Sequence, residues 1–189
     1  MIKNRTIQKI ARVLVKIVEI FHWVGAALLT AAGICRLVLP QMVNSLMSYD
    51  QVQAEGVMDI YGFTIEFMDH ALPAAIFTIY CLGSAIMMAM VAMICRYTFQ
   101  IMQSSENATP FTTENVDRLK WIGYLFLAIP VTGLVFSAVL MLVSQMTGSS
   151  DLLEMSMNMD GFITGLIVLC LTQYFAYGVS LEKETEGLI

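Results

Sequence analysis

Residues 72–100 read LPAAIFTIYCLGSAIMMAMVAMICRYTFQ, and this stretch decides the fold because Arg96 is its only charged residue. A helix needs about 20 mainly apolar residues to cross the hydrocarbon layer of a bilayer. Arg96 stands near the end of the run, where a long cationic side chain can reach the interface. The stretch therefore predicts a transmembrane helix.

Three further apolar runs meet the same requirement, at residues 13–39, 119–145 and 161–179. Only 13% of the chain is charged, whereas soluble domains carry about 25%. The segments between the runs are too short for a separate soluble domain. We therefore predict one membrane domain over residues 1–189, an all-α integral membrane protein built as a four-helix transmembrane bundle. The run at 13–39 is too long for a typical signal peptide, so we expect it to be retained.

The Lys and Arg residues orient this bundle. Nine of the ten flank the helix ends on one side, and only Arg36 lies on the other. The loops at 40–71 and 146–160 contain eight acidic residues and no Lys or Arg. Since short cytoplasmic flanks are rich in Lys and Arg, both termini and the loop at 101–118 are predicted to be cytoplasmic.

The longer outer loop is predicted to form a small extracytoplasmic cap. Within VMDIYGFTIEF, at 57–67, β-forming side chains recur at alternate positions, which favours a strand or short hairpin with one apolar face. The residues assigned to that face are Val57, Tyr61, Phe63, Ile65 and Phe67. An irregular amphipathic cap is the alternative. We interpret 146–160 as a short connector. Its methionines could suit Cu(I), but methionine is also a common core filler, so no metal site is predicted.

The cytoplasmic loop, SSENATPFTTENVDRLKWIG at 104–123, indicates a turn followed by a helix. Thr112 is the predicted N-cap, because a threonine hydroxyl can accept a hydrogen bond from a free amide in the first turn. Phe111 and Val116 occupy the positions of a hydrophobic staple. We expect this helix to run directly into the third span.

Glu19 and His22 stand three residues apart on one face of the first helix. This spacing occurs in di-metal bundles, which need further carboxylates that the other spans lack. We expect Glu19 to pair with Lys16, Arg12 or Arg96, and His22 to hydrogen-bond to the fourth span. Ionisable groups inside a membrane are candidates for function. The candidate intramembrane polar cluster is Glu19, His22, Arg96, Gln173, Tyr174 and Tyr177.

The sequence points away from catalysis and cofactors. No serine is accompanied by a His and an Asp that would activate it, and no glycine-rich phosphate loop is present. All four cysteines fall inside apolar runs, which is typical of buried free thiols. Long basic tracts are absent, so direct nucleic-acid binding is not expected. We predict a protein that is not an enzyme and has no catalytic, cofactor or metal residues.

The cytoplasmic loop and the C-terminal segment resemble one family of bacterial membrane proteins, catalogued as domain of unknown function 2975. Its members are similar in having four spans, a PFT-x-EN loop and a last helix that ends in a glycine and an acidic tail. The matching residues are Pro110, Phe111, Thr112, Glu114, Asn115, Leu119, Ile122 and Gly123, then Phe175, Gly178, Leu181 and Glu182. The resemblance implies a location in the bacterial inner membrane and a genomic setting beside a small helix-turn-helix transcription regulator.

Two functional hypotheses follow. The first is a membrane sensor or regulatory interaction protein that signals to, or sequesters, a cytoplasmic helix-turn-helix regulator. Its candidate interaction loop is Pro110, Phe111, Thr112, Glu114 and Asn115. The second is a small transporter, transporter-accessory subunit or immunity-type protein with a polar cavity lined by residues of the polar cluster. The GxxxG at Gly161 and Gly165 allows close helix approach, and it leaves open whether this occurs within one chain or in a homo-oligomer. The lipid bilayer is a partner in either case.

Overall fold

The computed structural model describes residues 2–39, 56–67, 73–107, 111–148 and 153–186. Four long helices account for most of them: α1 (Ile2–Val38), α2 (Ala74–Asn107), α3 (Thr113–Met146) and α4 (Asp160–Glu186). Each is long and apolar enough to cross a membrane. The four-span, all-α fold predicted from the sequence is confirmed, and the chain is a multi-pass membrane protein.

The helices extend beyond the predicted apolar runs. α1 begins 11 residues before residue 13, and α2 continues to Asn107. A 37-residue helix is roughly 55 Å long, nearly twice the hydrocarbon thickness of about 30 Å. Apolar runs mark only the lipid-embedded part, whereas backbone hydrogen bonds can continue into the polar layers. The predicted apolar runs therefore cover only part of each helix.

Contacts divide the chain into two units. One comprises Met1–Trp23, Met90–Ile129 and Asp160–Ile189, and the other comprises Val24–Ala89 and Pro130–Met159. We call the first the basic unit, because it contains nine of the ten Lys and Arg residues. We call the second the sheet unit, because it contains all three described strands.

The sheet unit holds an antiparallel sheet of β1 (Gly56–Ile60), β2 (Phe63–Phe67) and β3 (Leu153–Met157), in that order. β1 and β2 form a hairpin whose two turn residues, Tyr61 and Gly62, both have positive φ angles of 55° and 75°. Such two-residue turns match the natural twist of a hairpin. A strand or hairpin was predicted here, and the structure has the hairpin.

One face of the hairpin is apolar and buried. Phe63 and Ile65 have no exposed surface, and the Phe63 ring stacks on Tyr80 of α2 with centroids 5.0 Å apart. The Tyr80 hydroxyl also donates a hydrogen bond of 3.3 Å to the carbonyl of Phe63. Backbone and side chain of one residue thus fasten the sheet to α2.

The sequence-based assignment of two residues to this face was wrong. Val57 is 65% exposed, and Tyr61 lies in the turn. The two-residue turn pairs Met58 with Ile65 and Ile60 with Phe63. The residues that share one face are therefore even-numbered in β1 and odd-numbered in β2. Treating residues 57–67 as one alternating series missed that change.

The segment at 146–160 is also more than the short connector predicted, since β3 lies within it. Leu153, Met155 and Met157 stand opposite Phe67, Ile65 and Phe63 in the register of β2 and β3. The methionines at alternate positions in this stretch, considered above as possible Cu(I) ligands, fit the two-residue period of a β-strand.

Glycines permit close helix contacts in both units. In the sheet unit, a Cβ on Gly33 would lie 3.1 Å from the Cβ of Cys81, and Thr78 Oγ1 donates to the Gly33 carbonyl at 3.0 Å. In the basic unit, a Cβ on Gly165 of α4 would lie 3.0 Å from the carbonyl oxygen of Gly123 in α3. Gly165 of the GxxxG therefore serves an approach within the chain.

Candidate functional site

The N-terminal end of α3, which we call its entrance, is capped as predicted. The amide of Asn115 donates to Thr112 Oγ1 at 3.2 Å, and the amide of Val116 donates to the Thr112 carbonyl at 3.1 Å. α3 begins at the next residue, Thr113. Thr112 is thus the N-cap, as the sequence predicted, and its hydroxyl is occupied by the backbone of its own helix.

Asn115 links α3 to α2 below this cap. Its side chain is only 1% exposed. Oδ1 accepts one hydrogen bond from Ser104 Oγ of α2 at 2.8 Å and another from Arg118 Nη1 at 2.9 Å. Arg118 also donates to Glu114 through Nη2. One buried amide oxygen therefore fixes both the neighbouring helix and the guanidinium one turn further along.

Phe111 links the same entrance to α4. Its ring packs on Phe175, with centroids 5.5 Å apart. It also lies over Gly178, where a Cβ would come within 2.7 Å of Phe111 Cδ1. A glycine is required there because any side chain would push the ring away. Phe111 still keeps 41% of its surface exposed.

These contacts form one assembly within the basic unit, which we call the motif cluster. It consists of Ser104, Phe111, Thr112, Asn115, Arg118, Phe175 and Gly178. The two segments that carried the family resemblance therefore meet in space. Sequence reasoning missed Ser104 and Arg118 as partners, because neither a serine in a loop nor an arginine in a helix shows which amide it will contact.

The cluster divides the predicted interaction loop into buried and exposed parts. Asn115 is buried, so it cannot present its side chain to a partner. The side chain of Glu114 is 73% exposed, and Phe111 is partly exposed. Pro110 lies outside the described residues. Among the described members of the loop, Phe111 and Glu114 are the ones that offer a surface.

The predicted polar cluster is distributed over several environments. Glu19 is 5% exposed and forms an ion pair of 2.9 Å with Lys16, whose Nζ lies 5.2 Å from the centroid of the Phe99 ring. His22 Nδ1 lies 2.7 Å from the Val18 carbonyl in its own helix. The pairing expected for Glu19 is thus with Lys16.

The remaining members of that cluster point outward. Arg96 and Gln173 are exposed, and Tyr174 and Tyr177 expose 74% and 64% of their surface. The three α4 side chains therefore line the outer surface of the protein rather than an enclosed polar space. Exposed tyrosines of this kind are typical of the aromatic belts at membrane interfaces. Among the described residues, no group of three or more His, Cys, Asp or Glu could hold a metal ion.

The model of one family, described as protein of unknown function (DUF2975), matches residues 63–189, well over half of the chain. The chain belongs to this family. The match begins at β2 and includes α2, α3, β3 and α4, so both halves of the motif cluster lie inside the DUF2975 region. No curated protein and no solved structure matches the chain.

The contact between Phe111 and Gly178 makes a direct prediction. Phe111→Ala should lower the free energy of unfolding by about 2 kcal/mol, less than for a fully buried ring. Gly178→Ala should cost about 1–2 kcal/mol, because its methyl group overlaps the ring. In the Phe111→Ala background, Gly178→Ala should cost almost nothing. Unfolding in SDS, followed by far-UV circular dichroism, measures all three; additive losses would contradict the contact.

Proposed function

We propose that this DUF2975 protein is a non-enzymatic membrane sensor and regulatory interaction protein that binds a cytoplasmic helix-turn-helix transcription regulator. The observation that carries the proposal is the motif cluster, in which the family's two motif segments join and leave Phe111 and Glu114 exposed. A motif needed only for insertion would not require a fixed aromatic side chain beside an exposed carboxylate.

The charge distribution supports a cytoplasmic basic unit in the bacterial inner membrane. Nine of the ten Lys and Arg residues belong to this unit, and Arg36 belongs to the sheet unit. Positive residues accumulate on the cytoplasmic side of multi-pass proteins. In this orientation the entrance of α3 and the C-terminal end of α4 face soluble partners.

The rigidity of the entrance supports a docking role. Thr112 and Asn115 hold the first turn of α3 through hydrogen bonds of 2.8–3.2 Å, so little conformational entropy remains to be lost on binding. A partly exposed phenylalanine on such a support can insert into a partner's pocket, and aromatic side chains are enriched at protein interfaces. We propose Phe111 as the anchor and Glu114 as the neighbouring charged contact.

Site-specific photocrosslinking tests this proposal. A photoreactive amino acid replaces Glu114 in one variant and Val57 in a matched control, which is exposed on β1 of the sheet unit. The full chain in lipid nanodiscs is mixed with a purified helix-turn-helix regulator encoded beside a member of the family. We expect crosslinks at position 114 and none at 57, and we expect Phe111→Ser to reduce them at least tenfold.

The outcomes separate the proposal from its rivals. Equal crosslinking at both positions would mean non-specific capture, and none at position 114 would contradict the docking surface. Asn115 is not used for this test, because it is buried. Phe111→Ser also removes packing on Phe175, so far-UV circular dichroism establishes that this variant keeps its helices. The outward positions of Tyr174 and Tyr177 give no support to the alternative of a transporter built around a polar cavity.

A further inference from the structure

The N-terminal part of α1 carries a stripe of positive charge. Lys9, Arg12 and Lys16 are separated by three and four residues, which places them on one face of the helix. The first 18 residues contain five basic residues and no acidic one. The first acid is Glu19, which is buried and paired with Lys16. Within α1, the stripe and Glu19 together hold three basic side chains and one acidic side chain.

The spacing of charges along α1 sets the depth of this stripe. Lys16 and Arg36 are 20 residues apart in α1, a rise of about 30 Å, which equals the thickness of the hydrocarbon layer. Glu19 is the only Asp, Glu, Lys or Arg between them. This spacing supports a position of Lys16 at the cytoplasmic edge of the layer, with Arg12 and Lys9 at the level of the headgroups.

Two of the cations are held where α1 meets α2. Arg12 Nη2 lies 3.5 Å from the carbonyl oxygen of Met102. Lys16 Nζ lies 2.9 Å from Glu19 and above the Phe99 ring. Their charged ends are therefore directed to one place on the protein, whereas side chains that moved freely would lose more entropy on binding an anion.

The surface beside the stripe is apolar and exposed. Ile10, Val13, Leu14 and Ile17 each expose between 55% and 58% of their surface. An ordinary counter-ion would gain nothing from these side chains. A lipid would cover them with its acyl chains while its headgroup met the cations.

We propose that Lys9, Arg12 and Lys16 form a binding site for the phosphodiester headgroup of an anionic phospholipid, whose acyl chains lie on the adjoining apolar surface of α1. The phosphodiester would add an anionic partner for these side chains at the level of the headgroups. The site is independent of the regulator proposed above, because it uses other residues and another ligand.

Spin-labelled lipids test the site in the full chain. The protein is reconstituted in phosphatidylcholine vesicles that contain a trace of spin-labelled phosphatidylglycerol or spin-labelled phosphatidylcholine, and electron spin resonance gives the motionally restricted fraction of each. We expect phosphatidylglycerol to associate preferentially. Each cation should contribute about fivefold, so Lys9→Gln with Arg12→Gln should lower the preference by roughly 25-fold or abolish it.

Matched variants make the result specific. Lys120→Gln with Lys183→Gln removes the same charge from exposed positions on α3 and α4, and it should preserve the preference. Lys9→Arg with Arg12→Lys conserves charge and should also preserve it. Lys16 is left intact because its removal would strand the buried Glu19. Far-UV circular dichroism establishes that each variant keeps its helices.

Three outcomes would overturn the proposal. Equal restriction of phosphatidylglycerol and phosphatidylcholine by the unaltered protein would mean that no anionic lipid is selected. If the two glutamine double variants lost the preference for phosphatidylglycerol equally, that preference would come from the total positive charge of the basic unit rather than from this site. Displacement of phosphatidylglycerol by millimolar inorganic phosphate would show a site for free anions rather than for lipid.

Discussion

Replacing Asn115 with leucine is expected to lower the free energy of unfolding by about 3 kcal/mol. Leucine fills a similar volume but has no oxygen, so Ser104 Oγ and Arg118 Nη1 would each lose the hydrogen bond that Oδ1 now accepts. Ser104 would keep its hydrogen bond to the Ile101 carbonyl, and Arg118 would keep the one to Glu114. The expected loss is therefore that of two hydrogen bonds, about 1 kcal/mol for the neutral donor and about 1.5–3 kcal/mol for the charged one. SDS titration followed by tryptophan fluorescence measures the loss.

Asn115→Asp is the matched control, because a carboxylate offers the same two donors an acceptor of the same shape. It should retain most of the stability that leucine loses. Ser104→Ala alone should cost about 1 kcal/mol, and it should cost much less when Asn115 is already leucine. Equal losses for leucine and aspartate at position 115 would show that the amide group, rather than the acceptor oxygen, matters.

Replacing Gly165 with leucine should have an effect of similar size, about 3 kcal/mol, at the upper end of the usual cost of overpacking. A Cβ at this position would lie 2.9 Å from Leu127 Cδ2 and 3.0 Å from the Gly123 carbonyl oxygen. The leucine side chain can rotate, but the carbonyl belongs to the backbone of α3. The two helices would therefore have to separate.

Gly165→Ala should already lower stability, and Gly165→Leu should do so further, since each added carbon widens the crossing. Ala176→Leu is the control, because Ala176 is exposed on the same helix. Both series can be compared by SDS titration. If Gly165→Leu unfolded at the same SDS concentration as Ala176→Leu, the close crossing of α3 and α4 would be wrong.

The four spans were predictable because one physical requirement, the thickness of the hydrocarbon layer, acts on each run of residues separately. The Thr112 cap was predictable for the same reason, since a cap depends on residues within one turn. Both features are local. Neither requires knowledge of which segments meet in the folded chain.

What the sequence did not reveal depends on distant partners. The sequence placed Asn115 in a loop that could contact a partner, but its Oδ1 accepts a hydrogen bond from Ser104, which lies on another helix. Tyr174 and Tyr177 resembled cavity residues because their polar tips suggest hydrogen bonding, yet both are exposed. The faces of α4 could not be assigned from its sequence because apolar side chains surround the whole helix.

β3 illustrates the same limit for the sheet. Methionine is not a strong strand former, so a short alternating stretch of it carried little weight. The stretch becomes a strand because Phe63, Ile65 and Phe67 of β2 stand opposite it. Its pairing partner, rather than its own composition, determines its conformation.

The order of the strands has a consequence for biogenesis. β1 and β2 are adjacent in sequence, so their hairpin can form as soon as it is synthesised, whereas β3 follows β2 by 86 residues. At about 5–20 residues per second, the second edge of β2 stays open for roughly 4–17 s during translation. An open edge can pair with another chain. The three-stranded sheet can therefore be completed only after α2 and α3 have been synthesised.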